Sequence, residues 1–244
     1  MLIIWSLLWG AVSLAVIVST IQWYLPKLRM RMEDNADKSP TEKTEVRKVY
    51  LENDKAPADS VPVNWYRYLP VLCVCICFAC LCGYRVADTV DSVISIMKML
   101  LGFCVLSAVL ITDMELLIIP NRLVLILFGG RLISLILEFL LESDVIISRL
   151  ISSVIGALVC LLLFFVVSKL TNGGLGEGDT KLFCGIGFLC GLYAVVYTLL
   201  FACFICGFTS FILLITKRKT LKDVLPMGPF VLIGYIIMIL LAVY

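Results

Sequence analysis

Long apolar runs separated by short polar segments dominate this chain. Runs of about 17–25 apolar residues predict transmembrane helices, because lipid offers the backbone no hydrogen-bonding partner and a helix satisfies its own. We recognise these runs at Met1 to about Leu25, Leu69–Tyr84, Val93–Thr112, Leu123–Leu141, Val145–Ser168, Leu182–Thr216 and Phe230–Tyr244. Because Leu182–Thr216 is too long for one span, we expect it to break near Cys190-Gly191-Leu192. The pattern therefore predicts an all-α integral membrane protein with about eight transmembrane helices.

One substantial polar segment interrupts the apolar pattern and divides the chain into three parts. These are a first transmembrane helix (1–26), a charged insert (27–68) and a transmembrane domain (69–244). From Lys27 to Asp59 the insert contains eight Lys or Arg and eight Asp or Glu residues, so it is too short and too polar to form its own core. The first run lacks a basic start and a small-residue cleavage site, which favours a retained anchor over a removed signal.

The basic residues predict how the chain is oriented in the membrane. Lys27, Arg29 and Arg31 follow the first span directly, and the segment KRKTLKD precedes the last span. Since cytoplasmic loops carry an excess of Lys and Arg, both clusters place these segments in the cytoplasm. Alternation through eight spans then places the loops Thr112–Arg122 and Lys169–Lys181 on the same side. We expect a multi-pass protein of the cell membrane whose main surroundings are the lipid bilayer.

Composition narrows the possible chemistry. With 61% hydrophobic and 16% charged residues the chain is unlike a soluble domain, and a net charge of +2 gives no reason to expect nucleic acid as a partner. The absence of histidine excludes Ser-His-Asp and Cys-His catalysis and His-ligated metals. Of the eleven cysteines, five lie in the apolar run between Cys73 and Cys82, where packing is favoured over a metal or disulfide role. No cofactor and no metal are predicted.

A first candidate site lies where the third span ends. Asp113 closes this span, and Pro120-Asn121 opens the next, with proline suited to the start of a helix. A carboxylate at the end of a transmembrane helix is a functional candidate, although a solvated helix-end carboxylate is also common.

A second candidate site lies in a glycine-rich cytoplasmic loop. Gly176 and Gly178 let the backbone approach another segment closely, and Asp179 follows at the start of a helix, where we expect it to cap free N–H groups. Lys181 could tune Asp179 or hold substrate, and could equally extend to the membrane interface. Lys98 and Arg131 lie inside predicted spans, where a partner or snorkelling is favoured over catalysis.

The two aspartates indicate a specific chemistry when they are considered as a pair. Asp113 and Asp179 are both predicted at the cytoplasmic face, each at the end of an apolar span. Two carboxyls brought close share one proton, so the charged one can accept a proton from water while the neutral one donates to a carbonyl. This is aspartic protease chemistry, which needs no histidine.

The motifs that contain these residues resemble those of a known family. Asp113 with Ile119-Pro120-Asn121, the segment GEGDTK at Gly176–Lys181, and LPMGPF at Leu225–Phe230 are similar to motifs of the prepilin peptidases. These enzymes, also called type IV leader peptidases, are membrane aspartic proteases of the GxGD type. The resemblance implies Asp113 and Asp179 as catalytic residues and pilin or pseudopilin precursors with short basic leaders as substrates. We expect Gly176, Gly178, Lys181, Pro120 and Asn121 to support the pair or the substrate.

The insert departs from many members of that family. It contains no cysteine, whereas those members carry paired CxxC motifs there and also methylate the new N terminus, so methyl transfer is not predicted. Two alternatives stay open: an archaeal-type preflagellin peptidase, and a transporter subunit whose aspartates bind protons or cations.

Overall fold

A computed structural model describes residues 2–25, 75–77, 79–84, 92–144, 146–171, 176–216 and 225–241, with the side chains of residues 2–8, 23 and 24 not described. The charged insert predicted at 27–68 and the basic segment before the last span lie outside these ranges. Within them, every element is a helix. The helices are α1 (Leu2–Ser19, continued by a π-helical turn Thr20–Tyr24), α2 (Cys75–Tyr84), α3 (Val93–Leu116), α4 (Asn121–Leu141), α5 (Ile146–Leu170), α6 (Glu177–Cys190), α7 (Leu192–Ile215) and α8 (Gly228–Leu240).

The all-α architecture is confirmed, and the described part of the chain contains eight helices, but they differ in length. The helices α3, α4, α5 and α7 are long and apolar enough to cross a membrane. The 14 residues of α6 rise about 21 Å at 1.5 Å per residue, less than the hydrocarbon thickness of about 30 Å. Its polar start, Glu177 to Lys181, explains why it is not a full span by itself.

The central element of the fold is α3. Its apolar side chains are buried along most of its length because it packs against α1, α4, α6 and α8. By contrast, α5 and α7 expose large apolar side chains, such as Phe165 on α5 and Phe204 and Phe208 on α7, as expected for surfaces that face lipid.

Glycines allow the closest helix contacts around α6. A Cβ atom at Gly187 would lie 2.8 Å from the backbone carbonyl group of Gly156 in α5, so the two backbones touch. Between α6 and α7, Gly191 has a φ of +95°, a conformation that favours glycine. The predicted break at Cys190-Gly191-Leu192 is confirmed, and Leu192 N–H donates to the Ser152 hydroxyl oxygen at 3.1 Å.

A buried ionic cluster joins α3, α4 and α5. Glu138 accepts a hydrogen bond from Lys98 Nζ at 2.6 Å and contacts Arg131 Nη1 at 3.1 Å, and the side chains of Glu138 and Arg131 are fully buried. Arg149 lies 3.6 Å from Glu138 and also pairs with Glu142. The partners expected for Lys98 and Arg131 are therefore present. Lys98 precedes Asp113 by 15 positions on α3, or about 22 Å, so the cluster is remote from the aspartates.

Candidate active site

Asp113 lies in the last turn of α3 and is 6% exposed. Its Oδ2 atom accepts a hydrogen bond of 2.6 Å from the backbone N–H of Gly228, the first residue of α8. Two helices distant in sequence therefore meet at this carboxyl, and the carboxyl is held in one orientation.

The turn after Asp113 is formed by the Ile119-Pro120-Asn121 motif. Leu117 ends α3 in a left-handed conformation (φ 53°), and its N–H donates to the Asp113 carbonyl oxygen at 2.9 Å. Ile119 and Pro120 are buried, and Pro120 is extended immediately before the first residue of α4. Asn121 is partly exposed at the start of that helix.

Asp179 is the third residue of α6 and is partly buried. The predicted cap is wrong: Gly176 occupies the N-cap position, with no side-chain cap hydrogen bond. Asp179 therefore lies in the first turn of α6 without acting as its N-cap.

The glycines of the GxGD motif bring this segment close to the turn after α3. A Cβ atom at Gly178 would lie 3.1 Å from Ile119 Cβ, and one at Gly176 would lie 2.8 Å from Asp179 Oδ2. Larger residues at either position would crowd the motif turn or the carboxyl itself.

The two carboxyls interact electrostatically. Burial and, second, the charge of Asp113 raise the pKa of Asp179 from 3.8 to about 6. The negative charge of Asp113 thus disfavours a second negative charge on Asp179.

Other residues named from the sequence lie further from the pair. Lys181 is exposed, two positions after Asp179 and so on another side of α6, and the ion pairs of the described residues do not include it. Glu177 is exposed as well. Among the described residues no group of three His, Cys, Asp or Glu side chains could hold a metal ion.

The contact that sequence reasoning missed is the Gly228 N–H. In the sequence, LPMGPF shows only a family likeness, because a backbone donor has no side-chain signature. The available signal was a Gly-Pro pair at the start of an apolar helix, where free N–H groups are found.

The fold and the site together define a class of protein: an all-helical membrane protein with two interacting carboxyls at the ends of helices. Residues 100–211, which include both aspartates, match the type IV leader peptidase family. The chain is 30% identical over 131 residues to a prepilin leader peptidase/N-methyltransferase of Bacillus subtilis (strain 168), covering 53% of this chain and 49% of the relative. A protein of the same name from Aeromonas hydrophila is 29% identical over 132 residues, covering 53% of this chain and 44% of the relative.

The resemblance to the prepilin peptidase family is thus confirmed over residues 100–211. The chain spans about half the length of the curated relatives it matches. No solved structure matches it significantly.

Proposed function

We propose that this chain is a membrane aspartic endopeptidase that removes the short basic leader peptide of type IV prepilins or pseudopilins. The observation that carries the proposal is that the segment holding Asp179 packs against the turn after Asp113, with Gly178 beside Ile119, within the family match. The apolar segment of such a precursor would lie in the bilayer, so that its leader reaches the cytoplasmic end of α3 and α6.

The pair would activate one water molecule. The charged carboxylate accepts a proton from water, the water oxygen adds to the scissile carbonyl carbon, and the protonated carboxyl donates its proton to the carbonyl oxygen. When the C–N bond breaks, the proton taken from water passes to the leaving nitrogen, and the other carboxyl regains its own. The pair ends in its starting protonation state.

We do not extend the proposal to methyl transfer, although the names of both relatives include N-methyltransferase. The cysteine pairs that the family resemblance associates with the cytoplasmic insert are absent between Lys27 and Tyr68.

The test is cleavage of a type IV prepilin co-expressed with the full chain in bacterial membranes. Asp113→Asn and Asp179→Asn should each lower the cleavage rate at least about 100-fold, since each removes one half of the acid–base pair. Glu177→Gln, which neutralises an exposed carboxylate two residues from Asp179, is the matched control and should cleave normally.

Substantial cleavage by either aspartate variant would refute the pair as catalyst. A preflagellin added in parallel tests the nearest alternative substrate, because preference for it over the prepilin would reassign the substrate class.

A further inference from the structure

The two carboxyls have different hydrogen-bonding environments. Asp113 Oδ2 accepts the Gly228 N–H at 2.6 Å, whereas the hydrogen bonds of the described residues include none to the Asp179 carboxyl. Gly228 is the first residue of the 13-residue α8, so its N–H belongs to the helix end that carries partial positive charge. A donor in this position stabilises the charged form of the carboxyl that it contacts.

The close approach depends on residue 228 being glycine. A Cβ atom there would lie 3.0 Å from Asp113 Cβ, 3.1 Å from Asp113 Oδ2 and 3.4 Å from Leu110 Cα. Any side chain at this position would push the carboxyl away from the N–H that holds it.

The charged and titratable groups around Asp113 are few. On α6 they are Asp179, Glu177 and Lys181, the last two exposed. Glu115 follows on α3 itself, and Arg122 lies in the first turn of α4.

The helices α8 and α1 add little charge near Asp113. On α8 the one titratable side chain is Tyr235, which donates to the Met99 carbonyl oxygen far from Asp113. The described side chains of α1 include no acidic or basic residue. Asp113 thus accepts backbone N–H groups at the start of α8, from Gly228 and Met227, and interacts with the charge of Asp179 on α6.

We propose that Gly228 is a positioning residue that fixes the roles of the pair, holding Asp113 as the charged base and leaving the shared proton on Asp179, the acid. This assignment rests on the proposed peptidase function for its catalytic meaning. In the reaction, Asp113 takes the proton of the attacking water and later transfers it to the leaving nitrogen. Asp179 donates its proton to the carbonyl oxygen and recovers it when the C–N bond breaks.

The first experiment measures cleavage kinetics of a prepilin by Gly228→Ala. We expect kcat to fall about 10–100-fold with KM little changed, because the added methyl displaces a catalytic carboxyl without altering substrate contacts. Gly207→Ala is the matched control, since a Cβ atom at Gly207 meets nothing within 4 Å, and it should retain kcat. A normal kcat for correctly folded Gly228→Ala would overturn the positioning role.

The second experiment needs no activity. In full-length Asp179→Asn and Asp113→Asn proteins, infrared spectroscopy follows the protonated carboxyl band against pH, with the Asp113→Asn/Asp179→Asn double variant subtracted. We expect Asp113, left in the first variant, to ionise at lower pH than Asp179, left in the second. Adding Gly228→Ala should move the Asp113 transition up by about one pH unit.

Equal transitions, or the reverse order, would refute the assignment of roles even if Gly228→Ala fails to fold. If instead the order is as expected but no precursor is cleaved by wild type, the peptidase proposal fails while the asymmetry of the pair stands.

Discussion

Asp179 is an acid in an unfavourable place for its charge. It is partly buried, its carboxyl accepts no hydrogen bond among those of the described residues, and Asp113 lies close enough to repel a second negative charge. Its pKa of about 6 means that the native protein holds this proton more tightly than the unfolded chain does. Such a site costs stability when the group ionises, and this cost is consistent with selection for function at Asp179.

The pH dependence of stability tests this environment. Because the native pKa lies above the unfolded one, stability is lost as pH rises from about 4 through 6. Asp179→Asn should therefore raise the free energy of unfolding in detergent at pH 7 by at most about 3 kcal/mol, and this gain should be absent near pH 4. Glu177→Gln should show no such pH-dependent gain, and equal effects of Asp179→Asn at both pH values would contradict the raised pKa.

At the level of residues, the sequence predicted the pair but not its asymmetry. Asp113 and Asp179 could be found because carboxylates at the ends of apolar runs are unusual. The Gly228 donor could not, since its role depends on where α8 packs in space. The cap expected at Asp179 was wrong because Gly176, three residues earlier, occupies the N-cap position.

Among the helices, α5 and α6 make a close backbone contact. Gly156 and Gly187 bring the two backbones together, and a Cβ atom at Gly156 would lie 2.9 Å from Gly191 C in the break after α6. Small residues permit this approach in membrane proteins, where packing replaces the hydrophobic effect between helices.

Gly187→Ala should destabilise the protein by about 1–3 kcal/mol, since the methyl would meet the α5 backbone and force the helices apart. Gly207→Ala, in open space on α7, should be neutral or stabilise by up to about 1 kcal/mol. Unfolding of both variants in detergent gives the comparison, and a Gly187→Ala protein as stable as Gly207→Ala would contradict the backbone contact.

The sequence predicted the break at Gly191 because 35 apolar residues exceed one span and glycine favours a turn there. It could not predict that α6 is short, since run length alone does not show which helices are surrounded by protein and which by lipid. The buried face of α6 depends on α4, α5 and α7, and of these α4 is distant from it in sequence.

Across the whole molecule, two polar centres lie at opposite ends of α3. The aspartates occupy one end, and the cluster of Lys98, Arg131, Glu138 and Arg149 occupies the other. Glu138 is the hub of the cluster, because three basic side chains from three helices contact it.

Glu138→Gln should therefore destabilise the protein by about 3–5 kcal/mol, because it leaves Arg131 and Lys98 buried without a counter-charge. Glu142→Gln removes a carboxylate that is 26% exposed at the edge of the cluster and should cost about 1 kcal/mol or less. The measurement is unfolding of both variants in the same detergent, and equal costs would show that Glu138 is not the hub.

The sequence indicated that Lys98 and Arg131 need partners inside apolar runs. Glu138 was not identified, although it lies seven positions after Arg131 and so on the same side of α4. Its pairing with Lys98 and Arg149 depends on how three helices are arranged.

The short helix α6 has a consequence for how this chain can vary. It is secured at its Gly191 end by the contact with Ser152 and presents Asp179 twelve positions earlier, about 18 Å away. A single inserted or deleted residue in that interval would turn Asp179 by about 100° and displace it by about 1.5 Å. The length of this segment therefore sets the position of Asp179. We expect that length to be preserved through evolution more strictly than the identity of the lipid-facing residues in the segment.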